Sequence, residues 1–265
     1  MFPDDFWGRI VFFIQEYGTS FLRGAGNTLL IALVGTVIGC IIGLGVGIVQ
    51  TIPVTKRDFW LKRLLLNFAK LLLGIYVEVF RGTPMMVQAA FIFYGAAQYM
   101  GVQMNMYFAA FLIVSVNTGA YMAETVRGGI LSIDEGQTDG AKAIGMTHLQ
   151  IMTSVILPQA MRNIMPQIGN NLIINIKDTC VLSIIGTVEL FFVSNSVAGS
   201  YYTFFEAFTI AMVIYLIMTV TLSRILRLIE RKMDGPDNYD LATKDTLAHT
   251  SGMSKYSKKR RFDER

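Results

Sequence analysis

Residues 124–158 read ETVRGGILSIDEGQTDGAKAIGMTHLQIMTSVILP, a polar-to-amphipathic stretch between two apolar runs. Two helix starts can be read inside it. Ser132 with Glu135, and Thr147 with Gln150, fit the S/T-x-x-E/Q capping box, in which each side chain satisfies a free backbone N–H of the first turn. Gly145 stands between them, where a helix end needs a residue that tolerates positive φ. Pro158 closes the apolar run Val155-Ile156-Leu157. The spacing predicts two short helices meeting at a glycine elbow, in a segment too polar for lipid. Such a device offers a helix face to something outside the membrane.

Working outward, 53% of the residues are hydrophobic and 16% charged, the balance of an integral membrane protein. Gly24 to Gln50 carries no charge, enough to cross a bilayer core that needs about 20 residues. Within it Gly35, Gly39, Gly43 and Gly47 recur at every fourth position, a small-residue stripe that lets another helix approach closely. Lys56, Arg57, Lys62 and Arg63 mark a cytoplasmic loop. The second span needs a break near residues 82–84, because Pro84 lacks an N–H and disfavours helix at Thr83. Just before that break, Glu78 and Arg81 are three apart and placed to pair. Gly101 is the reversal point before a third span over 106–123.

A fourth span over 163–188 holds Asn170, Asn171, Asn175, Lys177 and Asp178, a costly set in hydrocarbon. A fifth over 207–223 ends at Arg224, Arg227, Arg231 and Lys232. The linker between them has Glu189 and Glu206 but no Lys or Arg, which suits an outer loop. Basic loops after the first, third and fifth spans set the N-terminus outside and the C-terminus inside. Residues 1–23 then form an extracytoplasmic, interfacial lead-in and 24–233 the transmembrane domain, with 128–160 as its cytoplasmic loop. Residues 234–265 form a mixed-charge cytoplasmic tail expected to be disordered. Its KKRR run is within reach of anionic lipid, although flanking acids favour solvation. Cys40 and Cys180 lie in apolar runs and read as buried hydrophobes. Neither they nor His148 and His249 have metal-ligand spacing, and the positive charge at span ends is no nucleic-acid signal.

Asp139-Gly140-Ala141, three residues, Gly145, nine residues, then Val155-Ile156-Leu157-Pro158 resembles the EAA loop of ABC-transporter membrane subunits. Asp and Gly replace the first Glu and Ala of that pattern, and Val replaces its first Ile. Arg81-Gly82-Thr83-Pro84, Asn117-Thr118-Gly119-Ala120-Tyr121 and Ile176-Lys177-Asp178-Thr179 resemble the polar amino acid (histidine/glutamine-type) permease branch, so the likeness covers residues 20–233. The resemblance implies an all-α type I ABC importer permease of about five transmembrane helices in the bacterial cytoplasmic membrane. It implies alternating access driven by two ATPase subunits docked on a coupling loop that includes Asp139, Gly140, Ala141, Gly145, Leu157 and Pro158. It further implies a second permease, copy or paralogue, and an extracytoplasmic solute-binding protein that delivers a polar amino acid. No G-x-x-x-x-G-K-[ST] loop occurs here, so ATP and Mg belong to the partner. The chain is then a translocation subunit rather than an enzyme, with no cofactor of its own.

A zwitterionic substrate needs an acceptor for its ammonium and donors for its carboxylate. Asn171, Asn175 and Asp178, at offsets of four and three, fall on one helical face and with Glu78 form the candidate substrate path. The same residues suit a structural polar cluster that fixes a dimer, and the sequence leaves both roles open. Lys177, Asp178 and Glu78 also fit an ion-coupled secondary carrier, but the chain shows no internal repeat and few spans for one. A non-transporting scaffold leaves the polar fourth span unexplained.

Overall fold

The computed structural model describes residues 2–54 and 59–234, and every regular element in them is helical. The basic pair Lys56 and Arg57, and the tail from 235, lie outside the described residues. The first helix, α1 (Phe6–Thr51), runs 46 residues without a break, about 69 Å at 1.5 Å per residue. Asp5 caps it by accepting from the Gly8 N–H at 2.7 Å. The expected lead-in is therefore the first turns of the same helix. Its Phe13 and Phe21 are buried against Leu190, Val197, Ala207 and Ile210, and the helix runs on through Gly18 and Gly24.

The main seam joins α1 to α4 (Met106–Leu131). A Cβ built on Gly35, Gly39, Gly43 or Gly47 would lie 2.4–2.7 Å from Val114, Thr118, Met122 or Val126 respectively. Each glycine meets a residue four further along α4, so the two helices run parallel with their backbones in close approach. Parallel neighbours need a return path between them. Two helices supply it: α2 (Trp60–Gly82) and α3 (Met85–Met100). At one end Lys70 Nζ donates to Ile52 O at 2.6 Å. At the other, Ala89 is buried with Ile31, Ala109, Ala110 and Ile113. Gly101, at φ 68°, closes α3 in the left-handed region, and Asn105 caps α4.

After α4 come α5 (Glu135–Ala143), the single turn α6 (His148–Ile151), one π turn (Met152–Ile156) and α7 (Leu157–Asp178). α7 runs back against α4, with Ile164 at Gly129 and Asn175 at Thr118. A 3₁₀ segment (Thr179–Ile185) ends at Gly186, φ 81°. The expected outer loop after residue 188 is instead mostly helix. α8 (Leu190–Tyr201) buries Leu190, Val193, Ser194, Val197 and Ala198, and α9 (Phe204–Asp234) follows. The apolar stripe of α8 at 190, 193 and 197 has helical spacing, but it falls within a linker whose acids suggest exposure. α9 runs parallel to α1, from the Arg9–Glu206 ion pair at 3.0 Å onward.

Among the described residues α1, α4 and α9 are long and apolar enough to cross a membrane. A fourth crossing is counted if the segment ending at Ile185 and α8, bent by 54°, form one span. Neither α2 nor α3 meets that test alone, since α2 carries charges and α3 has only 16 residues.

Candidate functional site: a broken helix, a polar cavity and an exposed elbow

Pro84 cannot donate a backbone hydrogen bond, so the helix breaks at Thr83, whose ψ of 147° is extended. A break at membrane depth leaves carbonyls that need donors. Gln88, 6% exposed, supplies them. Its Nε2 lies 2.9 Å from Phe80 O and 2.8 Å from Thr83 O. Asn117 of α4 donates to Gln88 Oε1 at 2.9 Å and to Phe80 O at 3.2 Å. Two of the sequence motifs, 81–84 and 117–121, thus meet at one amide-capped break. A Gln88→Leu variant keeps the volume but strands Thr83 O, leaves Phe80 O to Asn117 alone and removes the Oε1 acceptor that Asn117 uses. We expect a loss of about 2–4 kcal/mol, read as a lowered melting temperature of the solubilised protein. An unchanged melting temperature would show that the break needs no cap.

Beside the break lies a charge cluster. Arg127 clamps Glu124 with Nε at 3.2 Å and Nη2 at 2.8 Å. Arg81 does not pair with Glu78 as the spacing suggested. Its Nη1 reaches Glu124 at 3.9 Å and its guanidinium lies 5.7 Å over the Tyr121 ring. A carboxylate and an aromatic face of α4 therefore hold it, rather than its own helix. A cavity of about 310 Å³ opens here, lined by Gln50, Gly74, Glu78, Arg81, Gly82 and Glu124.

The candidate path residues of α7 are not gathered on one open face. Asn175 is buried, and its Nδ2 donates to Thr36 Oγ1 at 2.7 Å and Thr118 Oγ1 at 2.9 Å. It ties α7 to α1 and α4. Asn171 donates to Gln167 O at 3.0 Å in its own helix and faces the Met122 sulfur at 3.4 Å. Lys177 and Asp178 are exposed. Glu78 lies away from α7, on the α2 side of the cavity.

The elbow is built from local chemistry. Asp134, not Ser132, caps α5, because its carboxylate takes the Gly136 N–H at 2.7 Å. The Ser132 hydroxyl instead donates to Gly129 O at 2.8 Å and ends α4. Gly145 sits at φ 82° and donates to Lys142 O, while Met146 donates to Ala141 O. That pair of bonds is the Schellman arrangement that closes a helix. The second capping box is present at Thr147 and Gln150. It starts no separate helix, however: α6 runs through the π turn into α7. Pro158 explains the widening, since it cannot donate to the carbonyl four residues back and its ring crowds that position. One side of the elbow is anchored, with Ala141, Ile151 and Ile156 buried among Met122, Val126, Ile130, Ala160 and Ile164. On its outer side Ile144 and Leu149 are 78% and 72% exposed. Asp139 and Lys142 pair there at 3.0 Å, Gly140 and Pro158 are also exposed, and Leu157 is half-buried.

Gln88 is not among the expected site residues, although an amide four residues beyond a proline, in an uncharged run, is a signal for a helix cap. Glu189, expected in an outer loop, is not a loop acid. Glu189 is fully buried and caps α8, accepting from the Phe191 and Phe192 N–H groups at 2.9 and 2.6 Å.

A family model described as "Binding-protein-dependent transport system inner membrane component" matches residues 43–235. The chain is 32% identical over 216 residues to the arginine transport system permease protein ArtQ of Bacillus subtilis (strain 168), covering 82% of this chain and 93% of ArtQ. It is 35% identical over 213 residues to the glutamine transport system permease protein GlnP of Escherichia coli (strain K12), covering 80% and 92%. Among solved structures it matches a crystal structure of an amino acid ABC transporter with histidines, at a TM-score of 0.75 and 32% identity. That match covers 87% of this chain and 99% of the other. An inward-facing form of the MetNI methionine ABC transporter matches at a TM-score of 0.64 and 20% identity, over 81% and 98%, a likeness of fold.

Proposed function

This chain belongs to the inner membrane components of binding-protein-dependent transport systems, and from that premise we propose that it moves a polar amino acid inward. It is a transmembrane permease subunit of an ABC importer, with the type I all-α fold. The amino acid is suggested by the arginine and glutamine systems to which ArtQ and GlnP belong. ATP hydrolysis then falls to two separate ATPase subunits that hold ATP and Mg. A solute-binding protein delivers substrate, and a second permease, copy or paralogue, completes the pathway. The parallel run of α1, α4 and α9, with Arg127 in the C-terminal half of α4 and Arg224 and Arg227 in that of α9, supports C-terminal ends inside and the N-terminus outside.

The observation that carries the coupled reading is the elbow. It exposes Ile144 and Leu149 on a polar segment while Ala141, Ile151 and Ile156 anchor it to the bundle. A lever fixed on one side and apolar on the other suits a docked, moving ATPase domain. Gly145 tests it. Nothing lies within 4 Å of a Cβ built there, so only its positive φ opposes a side chain, at about 1–3 kcal/mol for a β-branched residue. Gly145→Val is expected to uncouple substrate-stimulated ATP hydrolysis from uptake at unchanged membrane abundance. Gly145→Asn should retain coupling, because Asn tolerates that conformation. Coupled, wild-type uptake in Gly145→Val would overturn the reading.

A further inference from the structure

The first turns of α2 stand clear of the bundle. From Trp60 to Phe68 every side chain is exposed except Leu66, which is half-buried. Lys62 and Arg63, expected in a loop, fall in the first turn of this helix, and no acidic residue stands between Phe59 and Glu78. Beside Lys62, the start of α2 and the end of α1 form a trough of about 560 Å³. Ile52 walls it on one side and Phe59, Leu65, Leu66 and Ala69 on the other, and Lys62 brings a charge to its rim. The Lys70 bond to Ile52 O joins the two walls.

Such a trough calls for an occupant that is apolar along its length and anionic at one end. A hydrocarbon chain suits Leu65 and Ala69. A phosphate suits an ammonium whose stem lies on apolar surface while its head reaches the headgroup layer. Phe59 and Trp60, with ring centroids 6.0 Å apart, are aromatics of the kind that settle at that level. A protein helix seated here would have to bury a carboxylate to match Lys62, at a desolvation cost. A lipid keeps its anion at the membrane surface. We propose that this trough binds an anionic phospholipid, one acyl chain lying along Leu65, Leu66 and Ala69 and the phosphate against Lys62 and Arg63. The lipid then supports the joint between α1 and α2, where α2 packs little against its own bundle. Binding there depends on the chain's place in the membrane and not on which substrate it carries.

The test places the permease–ATPase complex in nanodiscs of phosphatidylcholine and phosphatidylglycerol in equal parts, with a trace of phosphatidylglycerol that bears a photoreactive acyl chain. Peptide mass spectrometry maps the cross-links. They should gather at Leu65, Leu66 and Ala69, and added phosphatidylglycerol should suppress them where added phosphatidylcholine does not. A basic residue near a membrane surface is worth about fivefold in affinity for anionic lipid. Lys62→Gln and Arg63→Gln should therefore each lower the labelling about fivefold, and both side chains are exposed, so assembly should be unchanged. Ala69→Leu narrows the trough and leaves both charges, and it should lower labelling as well. Equal labelling by a photoreactive phosphatidylcholine, or wild-type labelling in all three variants, would overturn the site. A photoreactive side chain at position 65 should capture lipid. Its capture of the second permease instead would make this face a protein interface and overturn the lipid site.

Discussion

A Gly43→Val permease is expected to vanish from the membrane as a folded species. A Cβ at position 43 would lie 2.4 Å from Met122 Cβ, 2.8 Å from the Met122 carbonyl carbon and 2.9 Å from the Ala123 nitrogen. Carbon atoms prefer about 3.5–4.0 Å. Two of those three neighbours are backbone, so no rotamer change relieves the clash and α1 must part from α4. Separation forfeits the close contacts that drive helix association in lipid, where burial of apolar surface gives no gain. We expect a cost above about 3 kcal/mol, the upper end for overpacking. Gly35→Ala should be milder, since its nearest neighbours are side-chain atoms of Val114. Gly45→Val should accumulate normally, because its Cβ would meet nothing within 4 Å. Immunoblots of membranes with size-exclusion profiles check the series. A monodisperse Gly43→Val protein at wild-type abundance would refute the seam.

The second large effect is expected at Glu189, which stands where the chain leaves the 3₁₀ segment and starts α8. Its buried carboxylate accepts from two backbone N–H groups, from Tyr215 Oη at 2.9 Å and from Thr28 Oγ1 at 3.4 Å. Thr28 Oγ1 in turn accepts from the Leu190 N–H at 3.2 Å. One side chain therefore joins α1, α8 and α9. Glu189→Ala strands three strong donors, each at about 1–3 kcal/mol, so the variant should lose about 4 kcal/mol or more and yield little folded protein. Tyr215→Phe removes a single partner and should cost about 1–2 kcal/mol. In the double variant the two losses should fall short of additive, since both act on one network. Thermal unfolding in detergent measures all three. A Glu189→Ala protein as stable as the wild type would show the network to be incidental.

How much of this was legible beforehand divides along one physical line. Capping, turn chemistry and periodicity act over a few residues, and they can be read directly. Gly145 and Gly101 adopt positive φ where the elbow and the turn needed it. Pro84 breaks the helix, Thr147 and Gln150 form their box, and the glycines of α1 line up in register. The family motifs were legible too, as patterns of residues without stated partners. Partners required the fold. Arg81 was read against Glu78, three residues away, and is held by Glu124 and Tyr121 from another helix. Asn175 shared a face with Asp178 on paper. Its amide lies between threonines of α1 and α4, 139 and 57 residues distant, while Asp178 faces outward. Glu189 reads as a solvated loop acid because two of its partners, Thr28 and Tyr215, are 161 and 26 residues away. Local propensity fixes where a helix starts, stops or yields. Which polar group satisfies which carbonyl inside a low-dielectric bundle depends on which helices come to lie side by side, and that is settled by packing across the whole chain.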